Sequence, residues 1–96
     1  MNARVERIRS RLEGALSPIH LELVDDSAAH AGHAGALRSG GGHYSATIVA
    51  ASFVGQTLVA RHRMVYRALG DLMQTDIHAF SMKVYTPDEF QGFENS

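Results

Sequence analysis

A two-layer α+β fold, a three-stranded mixed sheet with helices packed on one face, is what this 96-residue chain predicts. Three observations lead there. Hydrophobic spacing alternates between helical and strand period in the order α-β-β-α-β-α. The stretch joining the second strand to the third runs about 23 residues and contains a helix, long enough for a right-handed parallel crossover. The first two strands follow one another directly; such strands are most often antiparallel neighbours, although the long loop between them also permits distant partners.

Each element has its own justification. From Ala3 to Leu16, Val5, Ile8, Leu12 and Ala15/Leu16 fall at helical spacing, with Arg4, Arg7 and Arg11 on the other face. Ser17-Pro18 ends that helix, because a residue before proline avoids helical φ/ψ. Ile19-His20-Leu21-Glu22-Leu23-Val24 alternates with period two, a half-buried strand running into Asp25-Asp26. Ser27 to Gly42 has no periodicity and holds glycines 32, 35, 40, 41 and 42; aperiodic stretches of this length are uncommon in compact domains and are functional or disordered.

His43 to Phe53 is a β-prone run, Val54-Gly55-Gln56 a turn, and Thr57 a helix N-cap. Leu58, His62, Val65, Tyr66, Leu69, Leu72 and Met73 mark one face of a helix of about four turns. Arg63 and Arg67 project opposite that stripe and Arg61 lies on its flank. Gly70 costs this helix about 1 kcal/mol against alanine, which marks it as a place to kink or break. Ile77 to Tyr85 is the third strand, with His78, Phe80, Met82 and Val84 on one face. Thr86-Pro87-Asp88-Glu89 opens a last short helix as a capping box, and Phe90 and Phe93 supply its apolar face.

Composition narrows the function. Residues 1–96 make one domain, too short for a catalytic and a regulatory unit together or for a deep enclosed pocket. Hydrophobic residues at 45% and charged residues at 20% indicate a globular chain, not a disordered one. Nine Lys+Arg against ten Asp+Glu leave a formal charge of −1, so nucleic-acid binding by bulk charge is not the default. The absence of cysteine excludes a disulfide scaffold, a thiolate nucleophile and any metal site built from this chain's own thiolates. The N-terminus lacks the apolar run of a signal peptide and no stretch approaches the ~18 apolar residues of a membrane span; a soluble cytoplasmic protein is expected.

Six histidines is the unusual number. His62 interrupts an apolar helical stripe and reads as a buried, hydrogen-bonded core residue. His20 faces away from Ile19, Leu21 and Leu23 and reads as solvated, and His43 reads as a residue that closes the glycine-rich loop. His78 opens a strand at the margin between apolar face and solvent; its bland account is a half-buried ring donating to a backbone carbonyl. His30 and His33 lie in the loop, where polar side chains reach outward. Imidazole suits zinc, copper, nickel and iron, so these three are candidate metal ligands. No HExxH, Ser/His/Asp spacing or nucleophile elbow is present, so no enzyme activity is expected. Gly32-His33-Ala34-Gly35 matches the GxxG of the KH backbone clamp, but it falls between two strands instead of two helices and is accidental.

Four blocks carry a family resemblance: Ser52-Phe53-Val54-Gly55, Arg61-His62-Arg63-Met64-Val65-Tyr66, Ile77-His78-Ala79-Phe80-Ser81 and Thr86-Pro87-Asp88-Glu89-Phe90. In this order and spacing, with His43-Tyr44 before them, the chain resembles the BolA family. The resemblance implies a fold similar to class II KH domains, α-β-β-α-β with extra short helices. It also implies a partner, a monothiol glutaredoxin of the CGFS type, with which such proteins form a heterodimer around a bridging [2Fe–2S] cluster. Glutaredoxin cysteine and glutathione supply the thiolates. His78 matches the family's C-terminal histidine ligand, and His30 stands at the loop-ligand position, with His33 its competitor three residues on. Two imidazoles in place of two thiolates remove negative charge and raise the reduction potential of such a cluster. The chain alone is then expected to be colourless and without cofactor, as a monomer or weak homodimer. The family's other role, transcriptional regulation, implies DNA contacts from a helix-turn-helix-like segment, with Arg61, Arg63, Arg67 and Lys83 on phosphates.

Overall fold

Helix α1 (Ala3–Leu16) places its three- and four-residue apolar repeat against the sheet, burying Ile8, Leu12 and Leu16. In the computed structural model, residues 3–27 and 42–94 are described, with side chains as far as residue 92; His30, His33, the Gly32–Gly35 match and the Phe93 side chain fall outside them. Ser17 leaves the helical region as expected, but through the left-handed one, at φ 48°, while its N–H still donates to the Glu13 carbonyl.

Strands β1 (His20–Asp25), β2 (Gly42–Val49) and β3 (Ile77–Tyr85) form one sheet in the order β1-β2-β3. The first pair is antiparallel and the second parallel, so the sheet is mixed. Leu21 and Leu23, then Tyr44, Ala46 and Ile48, then Phe80, Met82 and Val84 share the face that meets α1 and the second long helix. Two strand boundaries differ from the sequence reading. Ile19 precedes β1 and is exposed, and β2 stops at Val49 because Ala51–Phe53 winds into a 3₁₀ turn that buries Phe53 completely.

Helix α2 (Leu58–Leu69) is capped by Thr57, whose Oγ1 accepts from the Ala60 N–H at 3.1 Å. It breaks at Gly70, with φ 55° and ψ −129°, and α3 (Leu72–Thr75) follows. The buried line on these helices is Val65, Leu69 and Leu72; Leu58 and Tyr66 are exposed, and His62 is only half-buried. His62 is therefore not the core residue its spacing suggests. The helix is turned toward Arg61, expected on the flank, whose side chain is 12% exposed and buries its stem where His62 was expected.

Helix α4 (Pro87–Glu94) opens on the expected capping box: Glu89 N–H donates to Thr86 Oγ1 at 3.2 Å, and Thr86 N–H donates to Glu89 Oε1 at 3.0 Å. Phe90 of this helix lies on the sheet's other face, stacked on His20 at 5.0 Å between ring centres and tilted against Tyr85 at 5.9 Å. His20 is thus partly roofed by an aromatic ring, not simply solvated. Among the described residues no helix is long and apolar enough to cross a membrane.

Gly70 occupies backbone space open to glycine, and a Cβ there would come within 3.2 Å of Arg11 Nη1. Gly70→Ala is expected to destabilise the fold by about 1–3 kcal/mol, read as a lowered midpoint in thermal or urea denaturation. An unchanged midpoint would contradict the strain assigned to this break.

Candidate functional site at the loop end of the sheet

The parallel pairing of β2 with β3 contains one irregularity. Gly42 pairs with Ile77 and His43 with Ala79, so His78 is an extra residue without a partner in the ladder. Its consequence is a change of face. Ile77 points into the core, the alternation is reset, and Phe80, Met82 and Val84 then also point inward. His78 is turned out and exposed, not aligned with Phe80, Met82 and Val84 as strict alternation requires.

A second feature closes the same end of the sheet. Gly42 packs so tightly that a Cβ would collide with the Tyr44 hydroxyl and with Ser27 Oγ, and its N–H donates to the Asp76 carbonyl at 3.0 Å. His43 is held on both sides of its backbone: its N–H donates to Ser27 Oγ at 3.1 Å and its carbonyl accepts from Asp26 N–H at 2.7 Å. Ser45 Oγ donates to Asp26 Oδ2, and Ser27 N–H donates to Asp25 Oδ1. The chain therefore leaves at Ser27 and returns at Gly42 through one hydrogen-bonded gate. His43 and His78 stand at that gate with ring centres 5.0 Å apart and planes inclined by 51°. His43 does close the loop, as expected, and it also adjoins His78, which the sequence reading did not foresee. The signal was present in the two apolar residues Ile77 and Phe80, whose odd spacing on one strand implies a bulge between them.

Guanidinium groups fasten the surroundings. Arg7 Nε donates to Asp76 Oδ2 at 2.5 Å, and Arg11 donates to the Leu69 carbonyl and to Asp71 Oδ1, tying α1 to the α2–α3 break and to the residue before β3. The Arg7 bond holds the Asp76 carboxyl below its usual range, against the opposing effect of burial. Arg61 donates to Glu89 Oε1 and Oε2 at 2.7 and 3.1 Å and to the carbonyls of Gln56 and Val84. This pairing lowers the Glu89 carboxyl to about 2.

The four basic residues expected on phosphates do not form one patch. Arg63 and Arg67 are exposed on the outer side of α2, while Arg61 is turned inward and bound to Glu89. Lys83 lies on the sheet face away from α1 and α2, in an open groove with Glu22, Ser45, Thr47 and Ser81. His62 and His20 are also apart from the gate, on α2 and at the far end of β1. Among the described residues no three His, Cys, Asp or Glu side chains cluster as a metal site.

Fold and site together define a small α+β domain whose distinctive chemistry is a pair of imidazoles at a loop gate. Comparison with known proteins identifies the family: residues 12–89 match that of BolA-like proteins, and the chain belongs to it. It is 34% identical over 91 residues to the DNA-binding transcriptional regulator BolA of Escherichia coli, covering 95% of this chain and 83% of that protein. Identity to SufE-like protein 1, chloroplastic/mitochondrial, of Arabidopsis thaliana is 41% over 93 residues, 93% of this chain but a quarter (25%) of that longer protein. The solved BolA domain of the Arabidopsis protein SufE1 superposes with a TM-score of 0.79 at 40% identity, covering 93% of this chain and 98% of that domain.

The depressed carboxyls give a pH dependence. Glu89 titrates near 4.5 when free and near 2 when folded, so its ion pair contributes stability above about pH 4.5 that is lost as pH falls toward 2. Asp76 acts in the same direction. Glu89→Gln is expected to show a shallower fall in urea midpoint across this window than the native chain; parallel pH profiles would contradict it.

Proposed function

We propose that this chain is an adaptor that binds a monothiol CGFS glutaredoxin and shares with it a bridging [2Fe–2S] cluster, acting in iron–sulfur trafficking or in iron or redox sensing. The observation that carries the reading is the bulge at His78, which turns an imidazole outward beside the gate of the loop bearing His30 and His33. Such a ligand, solvent-facing at a loop entrance, is accessible to a second protein. With no cysteine, the chain depends on thiolates from glutaredoxin and glutathione, and its own share is His78 with His30, or His33 in its place. The role is binding and not catalysis, exercised in the cytoplasm, with the chain alone colourless and a monomer or weak homodimer. The fit of the donor set is chemical: two neutral imidazoles bind iron and tune its potential upward.

Reconstitution with a CGFS glutaredoxin, iron, sulfide and glutathione is expected to yield a coloured heterodimer. His78→Ala should change its visible absorption and circular dichroism, and His30→Ala or His33→Ala should identify the loop ligand. A His78→Ala heterodimer with the native spectrum would refute this ligand assignment.

A second reading, DNA binding, is favoured by the name of the Escherichia coli relative and by the two exposed arginines of α2. Arg63 and Arg67 are the phosphate contacts this surface offers, with Lys83 on another face. On this reading Arg63→Ala weakens duplex binding, and log affinity falls against log salt with a slope of several units. Absence of binding at moderate salt would dismiss it.

A further inference from the structure

We infer that His43 and His78 form a bidentate imidazole chelate, able to hold one divalent transition-metal ion without the loop histidines and without a protein partner. The inference shares His78 with the proposed function and rests on that reading of it as a ligand, but it assigns the second imidazole to β2. Distance is the first argument. Nitrogen sits about 2.0–2.1 Å from zinc and a ring centre about 1.2 Å behind its nitrogen, so two imidazoles on one tetrahedral ion have centres about 5.2 Å apart. The observed separation is 5.0 Å. At 51° the rings are not stacked face to face, so the contact is not a parallel aromatic pair.

Backbone geometry is the second argument. His78 owes its direction to an unpaired ladder position, and bulges serve to re-aim single side chains. His43 owes its direction to two main-chain hydrogen bonds at the gate, with Ser27 and Asp26. Both ligands therefore stand on strand backbone whose path the sheet determines, which preorganises them. The neighbouring carboxylates are committed: Asp76 to Arg7, and Asp26 to the Ser45 hydroxyl. Two imidazoles with water in the remaining positions select the borderline ions that favour nitrogen, zinc among them, over the oxygen-seeking magnesium and calcium.

Zinc ion added alone to the full chain is the probe. Calorimetry is expected to give one site per chain, weakened at least tenfold by His43→Gln and by His78→Gln and changed less than about twofold in the double variant His30→Gln/His33→Gln. Imidazole ¹⁵N resonances of both His43 and His78 should shift together on saturation, which reads the site in the native chain even where a variant folds poorly. No shift at His43, or loss of binding in the loop double variant alone, overturns the chelate. The glutaredoxin reconstitution separates the two ideas. A cluster that forms with His43→Gln unaltered, beside a chain that takes no zinc through His43, leaves the proposed function standing and removes this inference. Zinc held by both rings with no cluster formed does the reverse.

Discussion

One unpaired residue in the β2–β3 ladder lets strand β3 serve the core along its whole length. Strand β3 must bury Ile77 near the α3 connection and Phe80, Met82 and Val84 further along, and these positions have opposite parity. A regular strand can bury one set only, since adjacent side chains point to opposite faces. The bulge reconciles them by spending one residue, and that residue is His78. Core packing thus forces an imidazole outward at the same end of the sheet where the chain departs into its glycine-rich segment. The chemistry of the gate follows from the demands of the core.

A second constraint comes from the arginines. Among the described residues, arginines fasten elements distant in sequence: Arg7 and Arg11 join α1 to the segment between α2 and β3, and Arg61 joins α2 to α4. Exposed ion pairs contribute little on average, but Arg61 is largely enclosed, donates to both carboxylate oxygens of Glu89 and satisfies two carbonyls. A guanidinium used in this way is withdrawn from any role on a nucleic-acid backbone. Of the four basic residues expected on phosphates, that leaves Arg63 and Arg67 on the outer side of α2 and Lys83 on the far face of the sheet, a divided arrangement.

Much of the architecture is legible in the sequence. The bounds of α1 and β3, the Thr57 cap, the break at Gly70 and the Thr86/Glu89 capping box are local events, governed by spacing and side-chain chemistry within a few residues. The side-chain orientations that were misread depended on a distant neighbour. His62 sat in an apolar pattern, yet α2 faces the core along Arg61, Val65 and Leu69, because a long cationic stem can be buried as well as an aliphatic one. His20 looked solvated until Phe90, 70 residues on, came down upon it. Strand period put His78 on the core face, and only its pairing with β2 turned it away.

By itself, then, the order of residues determined the succession of helices and strands and the family, and it placed an imidazole at the head of β3. Which way that imidazole points, and that His43 stands 5.0 Å from it, belongs to the folded chain alone. The reason is physical: periodicity describes how a segment divides its side chains between two faces, whereas a bulge arises from register between two segments, and register exists only once both strands have met around a common core.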